Sequence, residues 1–256
     1  MLILILKNKK YMITLPTEKI PAVSVNPKFL ILYGAPKSGK TSIAAQLENN
    51  LIIDLEGGST FIDAMAIQCR NISDLGEAAQ AIRAKNKEVG GNFYKHITID
   101  NATRLEEICL SYAATLYRQS SFGAKWTGTD VRTLPGGSGY QYLRTAVKKV
   151  IEMFKELCDE FILIGHTKDK TSQVDGVELS EKTLDLVGAL STIMCGLSDA
   201  VGLVYRKDNE THISFKGGFG DPKEARAPHL RNKDIIIATG NEDGTITTYW
   251  DRVYKD

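Results

Sequence analysis

The residues Gly34, Ala35, Pro36, Lys37, Ser38, Gly39, Lys40 and Thr41 stand in the spacing G-x-x-x-x-G-K-[ST], and each fixed position has a mechanical reason. The glycines let the backbone curl until its N–H groups face a chain of phosphates, Lys40 neutralises the terminal phosphate oxygens, and the Thr41 hydroxyl meets Mg²⁺. Ser42 continues the segment into the following helix. Residues 34–42 are therefore the expected cradle for ATP. A glycine-rich strand-to-helix turn that binds nothing is the plain alternative. The apolar strand before the motif and the helical pattern after it weigh against that reading.

Other strand ends carry the groups such chemistry needs. His96-Ile97-Thr98-Ile99-Asp100 ends a buried strand in a carboxylate placed to hold Mg²⁺ beside Thr41. Leu51-Ile52-Ile53-Asp54-Leu55-Glu56 ends a second strand, and Glu56 can orient or deprotonate a water attacking the terminal phosphate. Asp54 competes for that role, and both acids could instead merely cap the Gly57-Gly58 turn. A third strand, Phe161 to Gly165, leads into His166, which can sense the terminal phosphate. The expected catalytic set is Lys40, Glu56 and His166, with Thr41 and Asp100 on the metal.

Short apolar runs alternating with longer helical patterns imply an α/β fold with a mostly parallel central sheet flanked by helices. The pattern predicts strands over 29–33, 51–55, 96–100 and 161–165, and helices over 40–49, 74–87, 103–118, 141–157 and 180–197. Residues 119–139 read as a long mobile loop and 167–178 as a polar stretch. From 200 to 256 a period of two, with turns at 207–209 and 241–244, predicts antiparallel strands at the C-terminal end.

One domain over 24–256 accounts for this pattern, with 1–23 an N-terminal extension or edge strand, or an extension upstream of a start at Met12. The formal charge is +1, from 32 Lys plus Arg against 31 Asp plus Glu, so any nucleic-acid surface must be local. Cys69, Cys109, Cys158 and Cys195 lack zinc-like or disulfide-framework spacing and read as reduced core residues. No apolar run approaches a membrane-spanning length, and a cytoplasmic protein is expected, without membrane contact.

Taken together, residues 34–41, 51–57, 97–100 and 162–168 resemble the core of RecA-type, AAA-related P-loop ATPases. More narrowly, the chain is similar to phage-encoded RecA-like ATPases of the single-strand annealing or recombination type, over about residues 28–235. The resemblance implies that Glu56 is the catalytic acid and that His166 couples ATP to a DNA-binding segment, although the recombinases carry an amide where this chain has His166. It also implies a homo-oligomer with ATP between subunits, single-stranded DNA as partner, a single-strand-binding protein as a further partner, and the host cytoplasm as location. The two DNA segments fall at 119–139 and 167–182, with Lys125, Trp126, Arg132, Lys168 and Lys170 as expected contacts.

From Arg118 to Lys149 six basic residues face one acid, Asp130, a local surplus that suits phosphate backbones, while Trp126 offers a stacking platform. The alternative is a solvated loop whose Trp126 packs onto the core. Arg206, Lys216 and Arg231 are equal candidates for a cation reaching a neighbouring subunit's site. Two other functions fit the same motif. One is a nucleotide switch or loader that contacts another protein; the other is a small-molecule kinase with Asp54 and Glu56 on the acceptor.

Overall fold

The computed structural model describes residues 15–174, 177–218 and 221–255, and leaves aside the side chains of 170 and 172–181. The Met1–Leu6 run and Met12 thus lie outside the described residues. In chain order the elements are β1 (Phe29–Gly34), α1 (Lys40–Ala45), β2 (Asn50–Asp54), β3 (Ala66–Gln68), α2 (Ile72–Val89), β4 (His96–Asp100), α3 (Ala102–Arg118), α4 (Gly139–Lys155), β5 (Glu160–Val174), β6 (Val177–Leu184), α5 (Leu190–Leu197), β7 (Ala200–Lys207), β8 (Glu210–Ser214), β9 (Glu224–Ala225), β10 (Asp234–Gly240) and β11 (Ile246–Thr248).

One sheet runs β11-β10-β8-β7-β1-β5-β4-β2-β3. From β3 to β7 every neighbouring pair is parallel; β8, β10 and β11 continue antiparallel, as the period-two C-terminal pattern predicts. The central strands are apolar on both sides because both faces are covered. Phe29, Ile31 and Tyr33 of β1 face the core beneath α2, α3, α4 and α5, while Leu30 and Leu32 face the second core against α1 and the C-terminal segment. β5 divides the same way, with Phe161 and Leu163 to the first core and Ile162 and Ile164 to the second. Along α4, Leu143, Ala146, Val147, Val150, Ile151 and Phe154 form one buried stripe at helical spacing. On the other face, the Trp250 indole donates to the Ile43 carbonyl at 2.9 Å, tying the chain end to α1.

Three expectations are corrected. The helix expected over 180–197 exists only as α5; residues 177–184 instead form β6, which pairs antiparallel with β5 from Thr167↔Leu184 to Val174↔Val177. β5 therefore does not stop at Gly165 but continues through the supposed polar stretch as one arm of a hairpin. Cross-strand pairing there supplies what apolar periodicity does not. The 119–139 segment is also not a free loop: it is built of tight turns and 3-10 segments at Val131–Thr133 and Pro135–Gly137, with Val131 and Leu134 buried in the core. α1 is shorter than the expected 40–49. Among the described residues no helix is long and apolar enough to cross a membrane.

Candidate nucleotide site

The parallel register fixes the site. β1, β2, β4, β5 and β7 all run toward one edge of the sheet, where β1, β2 and β4 end and β5 leaves the sheet for its hairpin, and ligands gather at such edges. Gly34 closes β1 where the Val204 carbonyl of β7 comes so near that a Cβ would stand 2.3 Å from its oxygen, so only glycine fits. Gly39, at φ 95°, takes the left-handed conformation that turns the loop into α1. The resulting loop, with Lys37, Gly39, Lys40, Thr41 and Ser42, walls a cavity of about 640 Å³. Glu56, Gly57, Phe61, Asp100, His166 and Arg206 also line it.

Lys40 is buried, and its ammonium donates to the carbonyls of Gly34 at 3.0 Å and Ala35 at 2.8 Å. Burial pulls its pKa below the ordinary lysine value, partly offset by the charges of Asp100 and Glu56. Thr41 Oγ1 donates to Asp100 Oδ2 at 2.5 Å. A hydroxyl and a carboxylate converging beside the lysine form the hard oxygen pair that Mg²⁺ accepts, so the donor set fits that ion. Burial pushes the Asp100 carboxyl above its usual range; the Thr41 hydroxyl and Lys40 oppose this, while Asp54 and Glu56 add to it.

The two acids of β2 and its exit part company. Asp54 is buried and accepts from Glu56 N at 3.0 Å, Gly57 N at 2.7 Å, Ser59 N at 2.9 Å and Ser59 Oγ at 2.5 Å. Its lone pairs are taken up by the turn, which leaves it no reach toward a phosphate or an acceptor alcohol. Burial alone would raise its pKa, but the hydrogen bonds from Ser59, Gly57 and Glu56 outweigh that and hold it below the carboxylate value. A carboxylate depressed in the folded state stabilises above its unfolded pKa, and that contribution is lost as pH falls through the folded value. Asp54→Asn should accordingly lower unfolding free energy by about 2–3 kcal/mol at pH 7, with the gap to wild type closing in acid, as read by urea titration.

Glu56 is left free, its side chain 46% exposed and turned into the cavity. Its Oε2 lies 3.6 Å from His166 Nε2. The same His166 nitrogen lies 2.8 Å from Asn101 Nδ2. Asn101 Oδ1 accepts from Arg104 N at 3.0 Å as the cap of α3, which fixes the amide so that its NH₂ faces the imidazole. His166 Nε2 thus accepts from Asn101, while Glu56 approaches the same nitrogen without a hydrogen bond, and the three gather the exits of β2, β4 and β5 at one polar corner. The sequence reading marked two of these and passed over Asn101, whose only local signal is its place between a strand-end acid and a helix. It also passed over Phe61, which a turn sets on the cavity wall with its ring exposed.

The expected DNA contacts fall away from this cavity. Trp126 is half-buried, its ring 5.2 Å from that of Tyr117 and beneath the Arg118 guanidinium, so it packs onto α3. Arg132 pairs with Asp130 at 2.7 Å, and Lys168 donates to the Leu186 carbonyl beside Asp185. Lys125 is exposed, as is Phe122 at 87%; the side chain of Lys170 lies outside the described residues. α3 touches both segments: its Glu106 accepts from Val187 N at 2.8 Å, just past the end of β6, and its Tyr117 carries Trp126. Of the three candidate cations, Arg206 lines the cavity of its own chain, Arg231 is bonded to the carbonyls of Ala225 and Arg226, and Lys216 is exposed.

A family model described as "AAA domain" matches residues 26–244. Among solved structures, one described as the crystal structure of the RadB recombinase superposes with a TM-score of 0.46 at 13% identity, over 88% of this chain and 92% of that one. No curated protein sequence matches the chain.

Proposed function

Since the chain belongs to the AAA domain family over residues 26–244, whose members are P-loop ATPases, we propose that it couples ATP hydrolysis to single-stranded DNA in phage recombination or replication, as a homo-oligomer. One observation carries the coupling: β5 passes without a break from His166, at the cavity, into the β5–β6 hairpin. A shift at the terminal phosphate is felt by Glu56 and His166, and a rigid strand is a direct lever on whatever the hairpin touches.

In this reading the loop amides and Lys40 hold the phosphates, and Glu56 orients the attacking water. His166, held by Asn101, reports the state of the site. Mg²⁺ on Thr41 and Asp100 supplies charge neutralisation for the phosphates when bound. Asp54 is committed to its turn, which counts against the kinase alternative. The DNA side rests on Phe122 and Lys125, an aromatic and a cation exposed together, rather than on Trp126.

Phosphate release measured with no nucleic acid, single-stranded DNA, duplex DNA and RNA tests this, with stimulation by single strands the expected result. Stacking on one aromatic is worth about 1–3 kcal/mol, so Phe122→Ala should weaken oligo-dT binding roughly tenfold to a hundredfold. Lys125→Ala should instead flatten its salt dependence. Trp126 emission is the cheap reporter. Absence of both binding and stimulation transfers the reading to a nucleotide switch or loader, which the pairing of Arg132 and Lys168 within the chain would suit.

A further inference from the structure

β7 lies parallel to β1, with Leu30↔Ala200 through Tyr33↔Leu203 in register, so its end reaches the same edge of the sheet as the phosphate loop. It does so on the far side of β1 from β5, β4 and β2, which carry His166, Asp100 and the approach to Glu56. The ladder is buried and fixes the strand closely: Val204 is the residue whose carbonyl abuts Gly34. Two residues further along, the Arg206 guanidinium rests against Gly39, with Nε and Nη2 each 3.6 Å from where a Cβ on that glycine would stand.

The side chain lines the same cavity as Lys40, Thr41 and Asp100. Among the described residues it has no ion-pair partner. Of the two acids in its hairpin, Asp208 in the turn forms no ion pair with it, and Glu210 holds His212 at 2.9 Å instead. A guanidinium laid on a P-loop glycine and left without an acid is placed for an anion, and its forked donors match phosphate oxygens better than an ammonium would.

We infer that Arg206 contacts the phosphates of the nucleotide bound by its own chain, a cation supplied in cis where a neighbouring subunit would otherwise have to provide one. The inference rests on the ATP-binding reading above and deepens it. Together with Lys40 it puts positive charge on both sides of the loop, while the acids stay on the side of Glu56 and Asp100.

Two measurements test it. First, binding of Mg-ATP and of inorganic tripolyphosphate is compared in wild type, Arg206→Ala and Arg206→Lys by calorimetry. Loss of charge-assisted hydrogen bonds predicts that Arg206→Ala weakens both ligands about tenfold to a hundredfold, with Arg206→Lys in between and thermal melting unchanged, since the side chain is exposed. An unchanged affinity for both ligands overturns the inference. So does a loss confined to ATP, which would put Arg206 on the nucleoside.

Second, Lys40→Ala and Arg206→Ala proteins are mixed. A residue acting in cis leaves the mixture as inactive as its parts. Recovered hydrolysis would mean that Arg206 serves a partner's site, and would overturn the assignment. A wild-type protein that binds neither ligand defeats the ATP-binding reading itself, a result distinct from each of these.

Discussion

Lys40→Ala should lose ATP hydrolysis altogether and bind nucleotide far more weakly, while melting at or above the temperature of the wild type. The activity half follows from position, because in the proposed reading Lys40 is the ammonium that meets the terminal phosphates, and removal of one such donor costs about 10²–10³ in rate before the loss of binding is counted. The stability half follows from burial. The group is 5% exposed, and its partners at hydrogen-bonding distance are the neutral oxygens of Gly34, Ala35 and Ser38 rather than a carboxylate. A cation held out of water without an ion pair is a burden on the fold, which is why its pKa is pulled down. Removing it relieves the fold and disables the site, the usual exchange at functional positions. Turnover by a folded Lys40→Ala protein at wild-type affinity would remove the nucleotide reading.

What was legible in the sequence was local. The phosphate loop, β1, β4 and Asp100 declare themselves within short windows, because an apolar run flanked by turn chemistry needs no knowledge of its neighbours. The hairpin did not declare itself. Residues 167–184 are polar, and their order comes from pairing across a turn, which no single window contains. The leucines of 180–197 then read as one helix where a strand, a turn and the short α5 stand. The short edge strand β3 was missed for a related reason: Ala66–Gln68 gains its place only by lying beside β2. Arg206 could not be told from Lys216 and Arg231 without the sheet order that sets β7 next to β1. Trp126 was visible as an aromatic among cations, but its direction, down onto Tyr117, is a tertiary fact.

Glu56→Gln should keep ATP binding within a few-fold of wild type and lose turnover by about 10²–10⁴, the span associated with removing a positioned general base. Glutamine preserves the shape, the turn and the reach of the side chain, so the phosphate contacts proposed for Lys40 and the loop persist. What it loses is the lone-pair basicity that can take or orient a water proton. The alternative base was Asp54, only two residues away and on the same strand exit. Its oxygens accept from Glu56 N, Gly57 N, Ser59 N and Ser59 Oγ, whereas Glu56 points into the cavity 3.6 Å from His166. The two substitutions therefore separate cleanly: Asp54→Asn acts on stability and Glu56→Gln on rate. Single-turnover phosphate release, run alongside urea unfolding of both proteins, reads each effect on its own axis. A Glu56→Gln protein that turns over normally, next to a well-folded Asp54→Asn protein that does not, would reverse the assignment and require the turn at Gly57 to open before chemistry.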